Sequence, residues 1–103
     1  KGHGHAANHG GIVEDVDGMQ YELVLKPDTI RIYLDDHGQK VSSKNATGEA
    51  TILKGSERVK VALSPVDMNA LEAKGKFPSG PGTRVVAVVT VGGAANSVRF
   101  SVK

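Results

Sequence analysis

Residues 21–35, YELVLKPDTIRIYLD, alternate apolar and polar side chains on both sides of a proline turn. Successive side chains of an extended strand point to opposite faces, so Tyr21, Leu23 and Leu25 share one face of a first strand. Ile30, Ile32 and Leu34 do the same in a second. Between them Lys26-Pro27-Asp28 makes a natural tight turn, because proline presets φ and aspartate can bond its own backbone. The stretch is expected to be two short strands joined by that turn.

The same period recurs downstream. EATILKG (49–55) and ERVKVAL (57–63) read as a hairpin around Gly55-Ser56, with Ala50, Ile52, Val59, Val61 and Leu63 facing inward. RVVAVVTV (84–91) and NSVRFSVK (96–103) form a second hairpin around Gly92-Gly93. Its first strand is apolar on both faces, as expected of a central strand covered twice. VDMNALEAKG (66–75) has a faintly helical look, but it is short and follows Pro65, and a loop leading into a strand at Leu71 to Lys74 is the reading adopted. KVSSKNATG (40–48) is a polar connection long enough to cross between sheets, and FPSGPGT (77–83) is a rigid turn before the last hairpin. Seven to eight short strands with regular turns predict an all-β fold, a small antiparallel β-sandwich of immunoglobulin-like type. A small closed β-barrel is the alternative.

The 103 residues are 39 % hydrophobic, enough for one compact domain and too few for two separate cores. That domain is expected over 11–103, behind a flexible histidine-rich arm over 1–10. Thirteen Lys and Arg against eleven Asp and Glu leave a formal charge of +2, and because these charges are scattered no nucleic-acid partner is expected. The longest apolar run, Val85 to Val91, falls far short of the roughly 18 residues of a membrane span, so no membrane insertion is expected. Cysteine is absent, which excludes disulfides, thiolate metal sites and cysteine nucleophiles. No signal peptide is visible, although a mature exported protein would have lost one.

Catalysis needs a nucleophile with a base, paired acids or an open metal site on a rigid frame. The predicted strands carry little of this, and an enzyme is not expected. Metal binding has the better case, because KGHGHAANHGG (1–11) holds His3, His5 and His9, three of the four histidines. Imidazole suits Zn, Cu, Ni and Co, and the glycine spacers let the chain wrap an ion. A free Lys1 amine with His3 would make a square-planar set suited to Cu(II) or Ni(II). His37, in the turn LDDHGQ, is a fourth donor if that turn lies beside the arm, with Asp35 or Asp36 adding a carboxylate. Its plainer reading is a turn residue, since His, Asp and Gly tolerate unusual backbone angles. Met19 and Met68 are soft-ligand candidates whose plainer role is gap filling. The rival to a metal role is a structural or protein-interaction module with incidental histidines.

Residues 8–41, NHGGIVEDVDGMQYELVLKPDTIRIYLDDHGQKV, resemble a segment of periplasmic proteins of bacterial heavy-metal efflux systems, including domains of membrane-fusion adaptors. The matching positions are His9, Gly10 and Gly11, then Asp17 and Gly18, then Glu22 and Leu23, then Arg31 and Tyr33. The closing strands, from LSPVDMNALEAKGKF through PGTRVVAVVTV to VRFSVK, look like those of small exported sandwiches such as copper-resistance and YtkA-like or FixH-like domains. The resemblance implies a periplasmic accessory that buffers a divalent transition metal ion (Cu, Zn, Ni or Co) or delivers it to components of an efflux complex. His3, His5 and His9 would be its ligands, with His37 as a further donor.

Overall fold

A computed structural model describes residues 7–103. Among the described residues there is no helix, and the strands are β1 (Ile12–Val16), β2 (Met19–Lys26), β3 (Thr29–Asp36), β4 (Gln39–Lys40), β5 (Thr47–Lys54), β6 (Glu57–Val66), β7 (Ala70–Lys74), β8 (Arg84–Val91) and β9 (Ala94–Ser101). The three expected hairpins are present, with Tyr21 opposite Leu34, Ile52 opposite Val59, and Val85 opposite Phe100. The segment with a helical look is a turn followed by β7.

Every pairing is antiparallel, along the path β1-β2-β3-β7-β6-β5-β8-β9 with β4 beside β3. Strand β6 is the joint of this path. Its residues up to Leu63 pair with β5, whereas Ser64, Pro65 and Val66 pair with β7. One strand thus leaves one layer and enters the other, as at the corners of orthogonally packed sheets. β1 and β9 meet at the remaining seam without pairing. The all-β antiparallel expectation holds, and the continuous path gives the barrel alternative rather than two separate sheets. The barrel is nearly closed and flattened, with extents of 35 × 34 × 20 Å.

Both inner faces meet in one core. Tyr21, Leu23, Ile30, Ile32 and Leu34 come from one layer, and Ala50, Ile52, Val85, Val89 and Phe100 from the other. Each fully buried large apolar side chain contributes about 1.5–3 kcal/mol. Strand β8 is covered on one face only: Val85, Ala87 and Val89 are buried, but Val88 is 40 % exposed. The expectation of a doubly covered strand fails because a sheet curled onto itself buries a single face.

Two connections cross the ends of the barrel. At one end Ser43 donates its amide to the Met68 carbonyl at 2.9 Å, and Ala46 is buried beneath. At the other, Phe77 donates its amide to Pro27 at 2.8 Å and inserts its ring among the core residues. The turns that aim the strands have the mirror-image geometry that suits two-residue hairpins. Asp17-Gly18 has φ of 52° and 83°, and His37-Gly38 has 51° and 91°.

If the Phe77 ring closes the barrel end, Phe77→Ala should lower unfolding stability by about 3 kcal/mol in urea denaturation. The strand pattern in far-ultraviolet dichroism should persist, because the ring belongs to a connection and to no strand.

Candidate functional site

Gln20 and Glu22 alternate with the core residues Tyr21 and Leu23, so both side chains leave the outer face of β2. Both are nevertheless buried. Glu22 is covered by the lead into β1, which folds back over the strand. Its carboxylate accepts hydrogen bonds from the amides of Asn8 (3.0 Å), His9 (2.8 Å) and Gly11 (2.8 Å), and from His9 Nδ1 (3.0 Å). Burial pushes the Glu22 carboxyl up, but the His9 side chain and the three amides outweigh it and leave the group below the usual carboxylate range. Glu22 is therefore an ionised acceptor.

The two glycines make this fold-back feasible. Gly10 has φ of 75°, a conformation that side chains resist. Gly11 lies so close to β2 that a Cβ would collide with the Leu23 carbonyl oxygen. A bare backbone is needed to bring its amide to Glu22.

On the neighbouring strand Tyr33 stands opposite Glu22. Its ring stacks on the His9 imidazole with centroids 3.6 Å apart and planes 3° from parallel. Arg31 lies over the other part of this array, 5.7 Å from the Tyr33 ring, and donates to the Tyr33 hydroxyl at 3.1 Å. The same guanidinium binds Glu72 at 2.8 Å and Asp67 at 3.1 Å. The Tyr33 hydroxyl and Glu72 hold the Arg31 pKa above its ordinary value. Of the positions on which the resemblance rests, His9, Gly11, Glu22, Arg31 and Tyr33 thus share one outer face, whereas Leu23 lies in the core.

An ionised carboxylate can only accept, so Nδ1 carries a proton towards Glu22, and in the neutral ring Nε2 then keeps its lone pair. Nε2 has no hydrogen-bond partner among the described residues, and the side chain is 38 % exposed while that of Glu22 is 7 % exposed. A cleft of ≈ 290 Å³ opens beside the ring, lined also by Gln20, Asp35, Lys40 and Asn69.

His37 lies in the β3–β4 turn. Its amide donates to Gln20 Oε1 at 2.6 Å, and its Nδ1 pairs with Asp36 at 2.9 Å. Gln20 also donates to Asp15 of β1 at 2.7 Å and to the Gly18 carbonyl at 3.2 Å, which ties the β1–β2 turn to the β3–β4 turn. Asp35 caps the Gly38 amide at 2.7 Å. The plainer reading of His37 as a turn residue is what the backbone displays. Among the described residues no three His, Asp or Glu side chains are grouped to hold a metal ion. His3 and His5 lie outside the described residues, and Asp35 and Gly38 of the His37 turn line the same cleft as His9. Met19 packs against the core, and Met68 is exposed in the β6–β7 turn.

The composition and spacing of the chain did not single out Gln20. Its polar character at an outward position reads as solvent contact until the turns close over it. No protein-family model, curated protein or solved structure matches the chain.

Two outcomes follow from the clasp. Glu22→Gln removes the charge that three amides face and should cost about 2 kcal/mol, whereas Gly11→Ala should cost about 1–3 kcal/mol through overpacking. Both should accelerate amide exchange at His9 and Gly11 while the barrel amides stay protected. For His37, the hydrogen bond that its Nδ1 donates to the Asp36 carboxylate raises the imidazole pKa. Stability from that pair is present below the ordinary value near 6.5 and lost as pH rises through the raised one. In a proton NMR titration the His37 ring should titrate above the ordinary value, and Asp36→Asn should bring it down.

Proposed function

We propose that this protein is a non-catalytic metal-binding accessory that buffers a divalent transition ion, Cu, Zn, Ni or Co, or hands it on. One observation carries the reading: Glu22 fixes His9 in the tautomer that leaves Nε2 available. Histidines that ligate metals commonly donate their other ring nitrogen to a carboxylate, which sets ring orientation and raises basicity. His9 has that partner, a stacking aromatic that holds the ring plane, and an open cleft beside it. The described residues thus fit one oriented donor, and the remaining donors would come from His3 and His5 in the preceding segment. The periplasmic setting and the efflux partner rest on the sequence resemblance alone.

Titration with Cu(II), Zn(II), Ni(II) and Co(II), followed through the histidine ring resonances, tests this. Binding is expected to shift His9 first and to be lost in His9→Ala. It should weaken in His3→Ala and His5→Ala, and about tenfold in Glu22→Gln, the usual scale for loss of an outer-shell carboxylate. His37→Ala shows whether the turn histidine adds a fourth donor. Affinity should fall as pH drops below about 6.5, because protonated imidazole cannot coordinate. Affinity no tighter than that of a free histidine peptide would overturn the reading.

A further inference from the structure

The layer opposite His9 presents a different chemistry. Inward positions on β5, β6, β8 and β9 are taken by Ala50, Ile52, Val85, Val98 and their neighbours, which sends the alternate residues outward. Across that outer face the register aligns Lys60, Thr51, Val86 and Arg99 in one row, and Arg58, Leu53, Arg84 and Ser101 in the next. Four cations therefore flank Leu53 and Val86, and the exposed Val88 follows in the next row between Glu49 and Ser97. The face carries one carboxylate, Glu49, which pairs with Lys60 at 3.6 Å. Arg58, Arg84 and Arg99 are exposed and have no ion-pair partner among the described residues.

By contrast, the outer face of β1, β2, β3 and β7 mixes Asp15, Glu22, Asp35 and Glu72 with Lys26, Arg31 and Lys74. Arg31 there is already neutralised by Glu72 and Asp67. The weak overall charge thus conceals an uneven distribution, and the three arginines without an ion-pair partner among the described residues lie on one layer.

We propose that the outer face of β5, β6, β8 and β9 docks an acidic protein surface. An apolar centre within an arginine-rich rim is the anatomy of a protein interface, and the guanidinium fork matches carboxylates in a bidentate manner. A bilayer fits less well, because the apolar residues are short and no aromatic side chain projects from this face to insert. Four strands about 4.8 Å apart and eight residues long give a face on the order of 14 by 27 Å. This is below the ~800 Å² per partner of standard complexes, so the association is transient and electrostatically steered. The inference uses none of the histidines and stands apart from the metal reading.

The test uses a short poly-L-glutamate peptide and the amide resonances of the full chain at low ionic strength. Shifts should be confined to β5, β6, β8 and β9, and should fade with added salt. Arg84→Glu with Arg99→Glu should weaken binding at least about tenfold, whereas Lys26→Glu with Lys76→Glu, an equal change of net charge elsewhere, should change it less than about twofold. Arg84→Gln with Arg99→Gln gives the same reading if the reversal fails to fold. Equal loss in both pairs, or shifts elsewhere, overturns the proposal. So does arginine-dependent co-sedimentation with phosphatidylglycerol vesicles in the absence of peptide binding.

Discussion

A carboxylate buried on the outside of a sheet must be compensated, and Glu22 shows how. Desolvation of an ion costs several kcal/mol. Against that cost stand four hydrogen bonds at 2.8–3.0 Å, each charge-assisted bond contributing about 1.5–3 kcal/mol. The bonds win, as the lowered pKa of Glu22 indicates. Because three of the donors are backbone amides of Asn8, His9 and Gly11, the same compensation pins the lead to β2. It also orients the His9 ring, which then has Tyr33 as its floor.

The barrel supplies the frame for this arrangement. Strand β6 carries the hydrogen bonding from one layer to the other, so the outer faces of the two layers point away from each other. One holds the histidine, its carboxylate and the Arg31 network. The other holds arginines without carboxylate partners beside Leu53, Val86 and Val88. A chain of this size can thereby offer two chemically distinct surfaces without a second domain.

The local structure was legible in the chain because it depends on short-range rules. The alternation in residues 21–35 gave both strands and the buried rows, and the turn residues Lys26-Pro27-Asp28, Gly55-Ser56 and Gly92-Gly93 placed the hairpins. The position of β7 followed from Pro65 and the apolar pattern after it. His37 at a turn was equally readable, since its neighbours Asp36 and Gly38 favour that backbone. The strand count was nearly complete, with the two-residue β4 missed because so short an edge carries no periodicity.

Long-range relations were not legible. Alternation marks Gln20 and Glu22 as outward and the unbroken apolar run marks Val88 as covered, yet the first two are buried and Val88 is exposed, because burial depends on what folds over each face. Whether the layers would be separate or joined turned on β6 changing partners after Leu63, an event that leaves no mark in its apolar pattern. The surroundings of His9 and His37 arose the same way: their spacing along the chain is silent about the geometry that places one over Tyr33 and the other beside Asp36 and Gln20. The sequence by itself determined strands, turns and core rows through local sterics and hydrophobic period. Only the tertiary structure decided which polar groups meet, because hydrogen bonds between distant residues exist once the backbone has brought them together.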